Sequence, residues 1–216
     1  MTLKSFFKDI VKSVDRLSPH PFFYPFRMSN AEIMVFEEEV KKSKHYLEFG
    51  LGGSTLRAIQ KSNAMIYTVE SSSEWLEFMR KYIIIKYFEK KRLSIFLVNI
   101  GPTGDWGYPK SDVALEIFEK YSSGIFDVIG SGSIDLALID GRFRVACTLK
   151  LILECHENSS LRILIHDFWD REQYHIVLKY LNTLRRVDTL GFFSIADNVD
   201  IEAVRADYEA YKLNPE

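Results

Sequence analysis

His45-Tyr46-Leu47-Glu48-Phe49-Gly50-Leu51-Gly52-Gly53-Ser54-Thr55 is the stretch that decides the fold. It reads as a short apolar strand, a glycine turn and the opening of a helix whose first apolar positions are Leu56, Ala58 and Ile59. Glycine lets the backbone turn sharply and approach a ligand without a Cβ in the way. The helix behind it presents unpaired N–H groups at its start. Glu48 stands two residues before the first glycine, at the end of a strand that reads as buried. A carboxylate there is costly unless something pairs with it, and a ligand ammonium is one such partner.

Downstream, strands and helices alternate. Ala64 to Glu70 is a second strand ending in an acid, and Glu70 lies about 20 residues beyond Gly50, the separation of a carboxylate that binds ribose hydroxyls. A helix is expected over 72–88 and a third strand from Leu93 to Asn99. The loop Ile100 to Pro109, stiffened by glycines and prolines, carries Asp105, Trp106 and Tyr108 outward. A helix over 111–121 precedes a fourth strand, Ser133 to Asp140. A helix from Val145 to His156 and a fifth strand, Leu161 to His166, follow. Residues 171–182 read as a helix, Arg186 to Asp188 and Phe192 to Ala196 as a hairpin around Gly191, and 201–212 as a terminal helix. Such alternation predicts an α/β fold with a doubly wound, mostly parallel sheet. Ligands of such sheets bind beyond the carboxyl ends of the strands, where Glu48, Glu70, Asn99, Asp140, His166 and Asp167 all fall.

The 216 residues, 47% hydrophobic and 27% charged, fit one globular domain with a real core. Its expected parts are 1–44, N-terminal helices and an aromatic strap; 45–199, the core; and 200–216, a C-terminal helix. A formal net charge of −2 gives no basic field for nucleic acid. The two cysteines, Cys147 and Cys155, stand two helical turns apart, about 12 Å, too far for a bridge. Cysteine usage, the lack of a signal-peptide core and the lack of a long apolar run predict a cytoplasmic protein. Residues 3–17 place Leu3, Phe6, Phe7, Ile10, Val11, Val14 and Leu17 on one helical face, packed on the domain or offered to a membrane surface or partner. Ser18 to Phe26, with three prolines, is a non-helical strap, either across the core or along a substrate pocket. Ser29 and Glu32 have capping-box spacing, opening a helix that runs to Lys44.

The acidic-x-Gly-x-Gly run at Glu48, Gly50 and Gly52 resembles the first motif of the class I S-adenosylmethionine-dependent methyltransferases. Leu138-Ile139-Asp140-Gly141 with Ile165-His166-Asp167 is similar to a signature of small-molecule and sugar O-methyltransferases in that superfamily. Ile100 to Pro109 and Asp140-Gly141-Arg142-Phe143-Arg144 look closer to an uncharacterised methyltransferase-like family, some of whose members accompany glycosyltransferases. The resemblance spans about residues 44 to 196. It implies a seven-stranded, Rossmann-like methyltransferase sheet behind an N-terminal helical extension. By the same resemblance S-adenosylmethionine is the cofactor, with Glu48, Gly50, Gly52, Gly53 and Ser54 at its methionine end and Glu70 at the ribose. Ile100 and Gly101 border the adenine, and Asp140 faces the sulfonium and the acceptor.

Methyl transfer to a small-molecule or glycan hydroxyl needs positioning and a base. His166 has the intrinsic pKa for that base, with Asp140 or Asp167 orienting it or replacing it. A Mg²⁺ shared by Asp140 and Asp167 is the alternative. Arg142 and Arg144 are expected to grip an anionic acceptor, unless they pair with Asp140 or Glu154. Trp106, Trp169 and Tyr174 are expected as a stacking wall. Two other readings compete: a non-catalytic module that keeps the fold, and an NAD(P)-dependent oxidoreductase, whose G-x-G-x-x-G fingerprint needs a third glycine that this run lacks.

Overall fold

A computed structural model describes residues 3–104, 108–110 and 115–216. Seven strands form one sheet: β1 (His45–Phe49), β2 (Met65–Glu70), β3 (Leu93–Leu97), β4 (Leu136–Ile139), β5 (Arg162–Ile165), β6 (Leu181–Val187) and β7 (Leu190–Ile195). Their spatial order is β3-β2-β1-β4-β5-β7-β6. The first five run parallel, whereas β7 pairs antiparallel with both β5 and β6. Order reverses between β1 and β4, the switch point beyond whose strand ends ligands of such sheets bind.

Eight α-helices accompany the sheet among the described residues: α1 (Leu3–Asp15), α2 (Asn30–Lys42), α3 (Gly53–Lys61), α4 (Ser73–Met79), α5 (Ile83–Glu89), α6 (Leu115–Ser123), α7 (Arg144–Cys155) and α8 (Ile201–Tyr211). Both sheet faces are covered. On one, Leu47, Phe49, Ile139, Ile163 and Ile165 pack with α6, α7 and α8. On the other, Tyr46, Ile66, Leu138 and Leu164 meet α2, α3 and α5. Burial on two faces explains why β4 and β5 read as apolar runs without alternation.

The capping box forms: Ser29 Oγ accepts from the Glu32 N–H at 3.2 Å, and Glu32 Oε2 accepts from the Ser29 N–H at 2.8 Å. The helix expected over 72–88 is two helices, α4 and α5, broken at residues 80–82, where Arg80 pairs with Glu77 and Glu89 and Tyr82 donates to the Phe23 carbonyl at 2.9 Å. Residues 172–180 are a 3₁₀ stretch rather than an α-helix, and β6 follows at once. The hairpin turns at Asp188 and Thr189, while Gly191 lies inside β7, where a Cβ would strike the Phe193 ring at 2.3 Å.

The strap crosses the face that carries α3 and α5. Tyr24 donates to Gln60 at 3.1 Å, Gln60 donates to the Pro21 carbonyl at 2.9 Å, and Phe26 packs edge-on against Phe36. In α1 the apolar side chains of Ile10, Val11 and Val14, like Leu17 just beyond it, are exposed rather than packed on the domain. No helix among the described residues is long and apolar enough to cross a membrane.

Candidate functional site

The β1 turn is built from the inside. Glu48 is fully buried, and its carboxylate accepts from the hydroxyls of Ser54 and, at 2.5 Å, Thr55. Thr55 Oγ1 also accepts from the Gly52 N–H at 3.0 Å, so one side chain ties the strand end to the turn. Burial without a cation pushes the Glu48 carboxyl up to about 8, against the pull of those hydroxyls. Glu48 and Ser54 were expected to touch the ligand; in the structure they brace each other beneath the turn, with Ser54 also buried.

Above that brace the backbone is open in one place and crowded in another. Gly50 has φ +110°, and a Cβ on it would lie 3.0 Å from the Gly141 nitrogen, so β1 and the loop after β4 approach through glycine alone. At Gly53 a Cβ would meet the Pro25 carbonyl oxygen at 2.1 Å, because the strap passes directly over the start of α3. A Cβ on Gly52 would meet nothing nearer than Ser54 Oγ at 4.0 Å, leaving free space where a ligand's end can enter. Trp75 Nε1 steadies the turn by donating to the Leu51 carbonyl at 2.6 Å.

Glu70, at the end of β2, is buried and accepts from the Ser71 and Ser72 N–H groups at 2.7 and 2.8 Å through Oε1. Burial raises its pKa, with those N–H groups opposing. Ile100 is buried, and Gly101 beside it has φ +88°. Gly50, Gly52, Glu70 and Gly101 thus lie along the carboxyl ends of β1 to β3, a glycine-rich cradle at the edge where sheets of this kind bind their ligands.

The ends of β4 and β5 carry a charged network. Asp140, with about a quarter of its side chain exposed, receives Arg144 Nη2 at 3.2 Å and faces His166 Nδ1 at 3.0 Å, both through Oδ1. On its far side His166 Nε2 faces Glu32 Oε2 at 3.6 Å. Glu32 is itself buried, and its Oε1 accepts from the Thr189 N–H, the Thr189 hydroxyl and the Leu190 N–H at 3.0, 2.7 and 3.0 Å. Burial would raise the Asp140 pKa, but His166 and the two arginines outweigh it and hold the carboxylate below its usual range. Burial likewise works to lower His166, and Asp140 and Asp167 together keep it above its ordinary value.

This geometry corrects several expectations. His166 was the expected base, yet both its ring nitrogens face carboxylates and the residue is 6% exposed, so both nitrogens are already engaged within the protein. Arg144 grips no ligand: it is buried, donates to the Gly141 carbonyl at 3.0 Å and to the His166 carbonyl, and lies between Asp140 and Asp167. A shared Mg²⁺ does not fit, because that guanidinium stands between the two carboxylates, Arg171 holds Asp167 at 3.2 Å, and among the described residues no group of three acidic, histidine or cysteine side chains is arranged to hold a metal ion. Trp169 is half-buried against the core, donating to the Leu190 carbonyl at 3.1 Å and packing on Phe168 and Phe193. Trp106 and Asp105 lie outside the described residues. Arg142 is buried with its guanidinium 4.3 Å from the Tyr108 ring centre.

Glu32 is the residue that sequence reasoning missed as part of the site. Its spacing from Ser29 revealed only the capping half of its role. Two backbone positions mark the same place. Among the described residues four non-glycine positions have positive φ, and two of them, Phe143 at 55° and Asp167 at 53°, follow β4 and β5 within a few residues. Such conformations cost of order 1–3 kcal/mol and tend to collect at functional sites.

No protein-family model matches the chain, and no curated protein matches it. Among solved structures, a methyltransferase-like protein from Silicibacter pomeroyi aligns with a TM-score of 0.76 at 24% identity, over 89% of this chain and 98% of that one. An SAH-bound methyltransferase from Podospora anserina aligns at 0.52 and 14% identity, over 91% and 98%. A protein from Corynebacterium glutamicum aligns at 0.51 and 10% identity, over 82% and 85%. Together with the 3-2-1-4-5-7-6 strand order and its single antiparallel insertion, these likenesses give the chain the α/β, Rossmann-like fold of the class I methyltransferases.

Proposed function

We propose that the protein is an S-adenosylmethionine-dependent methyltransferase acting on a hydroxyl of a small molecule or glycan. The observation that supports this best is the meeting, at the switch point of one sheet, of the glycine cradle with an ionised, partly exposed Asp140. Bound against Gly50, Gly52, Gly101 and Glu70, S-adenosylmethionine would supply a methyl group already activated by its sulfonium.

The chain's own residues then have two tasks. The first is positioning, which supplies much of the rate in a displacement between two held groups. The second is receiving the acceptor's proton. Asp140 Oδ1 is engaged by His166 and Arg144, leaving Oδ2 to accept a hydrogen bond from the hydroxyl and then its proton. His166, clamped between Asp140 and Glu32, fixes the carboxylate's orientation, and Arg144 keeps it ionised.

Calorimetric titration with S-adenosylmethionine, its demethylated product and NAD tests the reading. Both adenosyl ligands are expected to bind, NAD is not, and Glu70→Ala is expected to weaken the adenosyl ligands at least tenfold. Failure of both adenosyl ligands to bind the unaltered protein would overturn the proposal. Once an acceptor hydroxyl is found, turnover is expected to survive chelation of divalent metal and to fall by about 10²–10⁴ in Asp140→Asn.

A further inference from the structure

Arg142 is a buried cation with no ion pair and no side-chain hydrogen bond among the described residues. The residue is 7% exposed, and its Nε and Nη1 are shut away from solvent without a hydrogen-bond partner among the described residues. Buried polar groups are nearly always paired, and a buried cation left alone is among the costlier exceptions. The neighbouring acids are otherwise engaged. Asp140, two residues earlier, is taken by His166 and Arg144. Glu216 accepts from the Tyr108 hydroxyl at 3.0 Å and from Gln173 at 3.4 Å, and makes no ion pair with Arg142. What Arg142 does have is a flat support, the Tyr108 ring beneath its guanidinium. Close to that ring the hydroxyl of Tyr174, 1% exposed, is also buried without a partner.

We infer that Arg142 is the receptor for an anionic group, carboxylate or phosphate, on the methyl acceptor. The inference rests on the methyl-transfer reading for what Asp140 does beside it. A guanidinium stacked on a ring is held in one plane, the arrangement that favours paired N–H bonds to two oxygens of one anion. Arg142 follows Asp140 on the same short loop, and its charge is one of those that hold the Asp140 carboxylate down. An acceptor anchored there by its anion brings a hydroxyl on the same molecule towards Asp140. Arg144, by contrast, has each of its three guanidinium nitrogens engaged within the protein. The two arginines of Asp140-Gly141-Arg142-Phe143-Arg144 therefore divide the work: one braces the base, the other reads the acceptor.

The test uses the full chain saturated with S-adenosylhomocysteine and titrated with glucuronate, glucose and inorganic phosphate, for the unaltered protein, Arg142→Met and Arg142→Lys. Glucuronate or phosphate is expected to bind at least tenfold more tightly than glucose. Glucuronate alone marks a carboxylated acceptor, and phosphate alone a phosphorylated one. Arg142→Met is expected to abolish that preference and leave S-adenosylhomocysteine affinity unchanged. It is also expected to melt at or above the unaltered protein in the absence of anion, because an apolar side chain replaces an unpaired buried charge. Arg142→Lys keeps the charge without the planar fork, and is expected to hold phosphate better than glucuronate; it serves as the variant should Arg142→Met fail to fold. Anion binding that survives in Arg142→Met, or no anion preference in a protein that binds S-adenosylhomocysteine, would overturn the inference. Loss of S-adenosylhomocysteine affinity in Arg142→Met would also overturn it, placing the arginine at the cofactor instead. Failure of S-adenosylhomocysteine to bind the unaltered protein would instead sink the methyl-transfer reading, while the anion titrations still report on Arg142.

Discussion

Glu48 and Asp140 end neighbouring parallel strands, paired through β1 and β4, yet their chemistry is opposite. Glu48 has two hydroxyls and no cation, and burial drives its pKa up to about 8. Asp140 has an imidazole and a buried guanidinium, and its pKa is driven down. A carboxylate at the end of a buried strand is therefore not one kind of group. Its partners decide whether it keeps its proton or stays ionised, and here the strand ends of one sheet hold both kinds.

The comparison breaks most visibly at Arg144. Removing the guanidinium in Arg144→Met leaves Asp140 and Asp167 close together without their shared cation, and strands two carbonyls. About 3–5 kcal/mol of stability should be lost, which for a chain of this size is a fall of about 2–4 °C in Tm per kcal/mol. Urea denaturation checks it. A loss no larger than that of an average surface change would mean the network is not what holds the β4 and β5 ends.

On the Glu48 side, two adjacent glycines should respond differently. Gly53→Ala forces the strap off the start of α3 and should cost about 1–3 kcal/mol by overpacking. Gly52→Ala enters free space from an extended backbone, so thermal melting should hardly change while S-adenosylhomocysteine affinity falls. Equal effects on melting would contradict the crowding at Gly53.

The pH dependence sharpens the contrast further. Folded Glu48 keeps its proton where the unfolded chain has released it, so its contribution is full below about 4.5 and is lost as pH climbs to about 8. Asp140 runs the other way, contributing above the ordinary carboxylate range and losing that contribution as acid protonates it in the fold. Melting temperatures of the unaltered protein should therefore drop relative to Glu48→Gln between pH 5 and pH 8, roughly the window of that shift. Parallel curves would show that Glu48 is ionised throughout. The smallest effect is spectroscopic: in Asp140→Asn the ring of His166 loses its main raising partner, and its titration followed by NMR should move to lower pH.

Much of this was legible in the chain. The glycine turn, the acid ending β2 and the apolar runs of β4 and β5 are local patterns, and each lies where local rules put it. Glu32 was half legible: its bond to Ser29 spans three residues, whereas its bonds to Thr189 and Leu190 span 157 and 158, and no periodicity records those. The 3₁₀ stretch misled because Tyr174, Val177 and Tyr180 recur every three residues, a spacing that α- and 3₁₀-helices share along one face. The break between α4 and α5 has neither proline nor glycine to announce it; it is made by Tyr82 reaching the strap. Roles at the site were hardest to read. His166 and Arg144 have the right chemistry for catalysis and binding, and only the three-dimensional count of partners shows them already occupied.

The strap over Gly53 carries one more consequence, for anyone redesigning the molecule. Positions 25, 26 and 53 behave as a single unit of variation, because the space a side chain at 53 would need is filled by the main chain of Pro25 and Phe26. Libraries that randomise the glycine turn alone will be depleted of larger residues at 53, whatever the ligand. Larger residues there become accessible only when the N-terminal segment is lengthened or rerouted in the same clone.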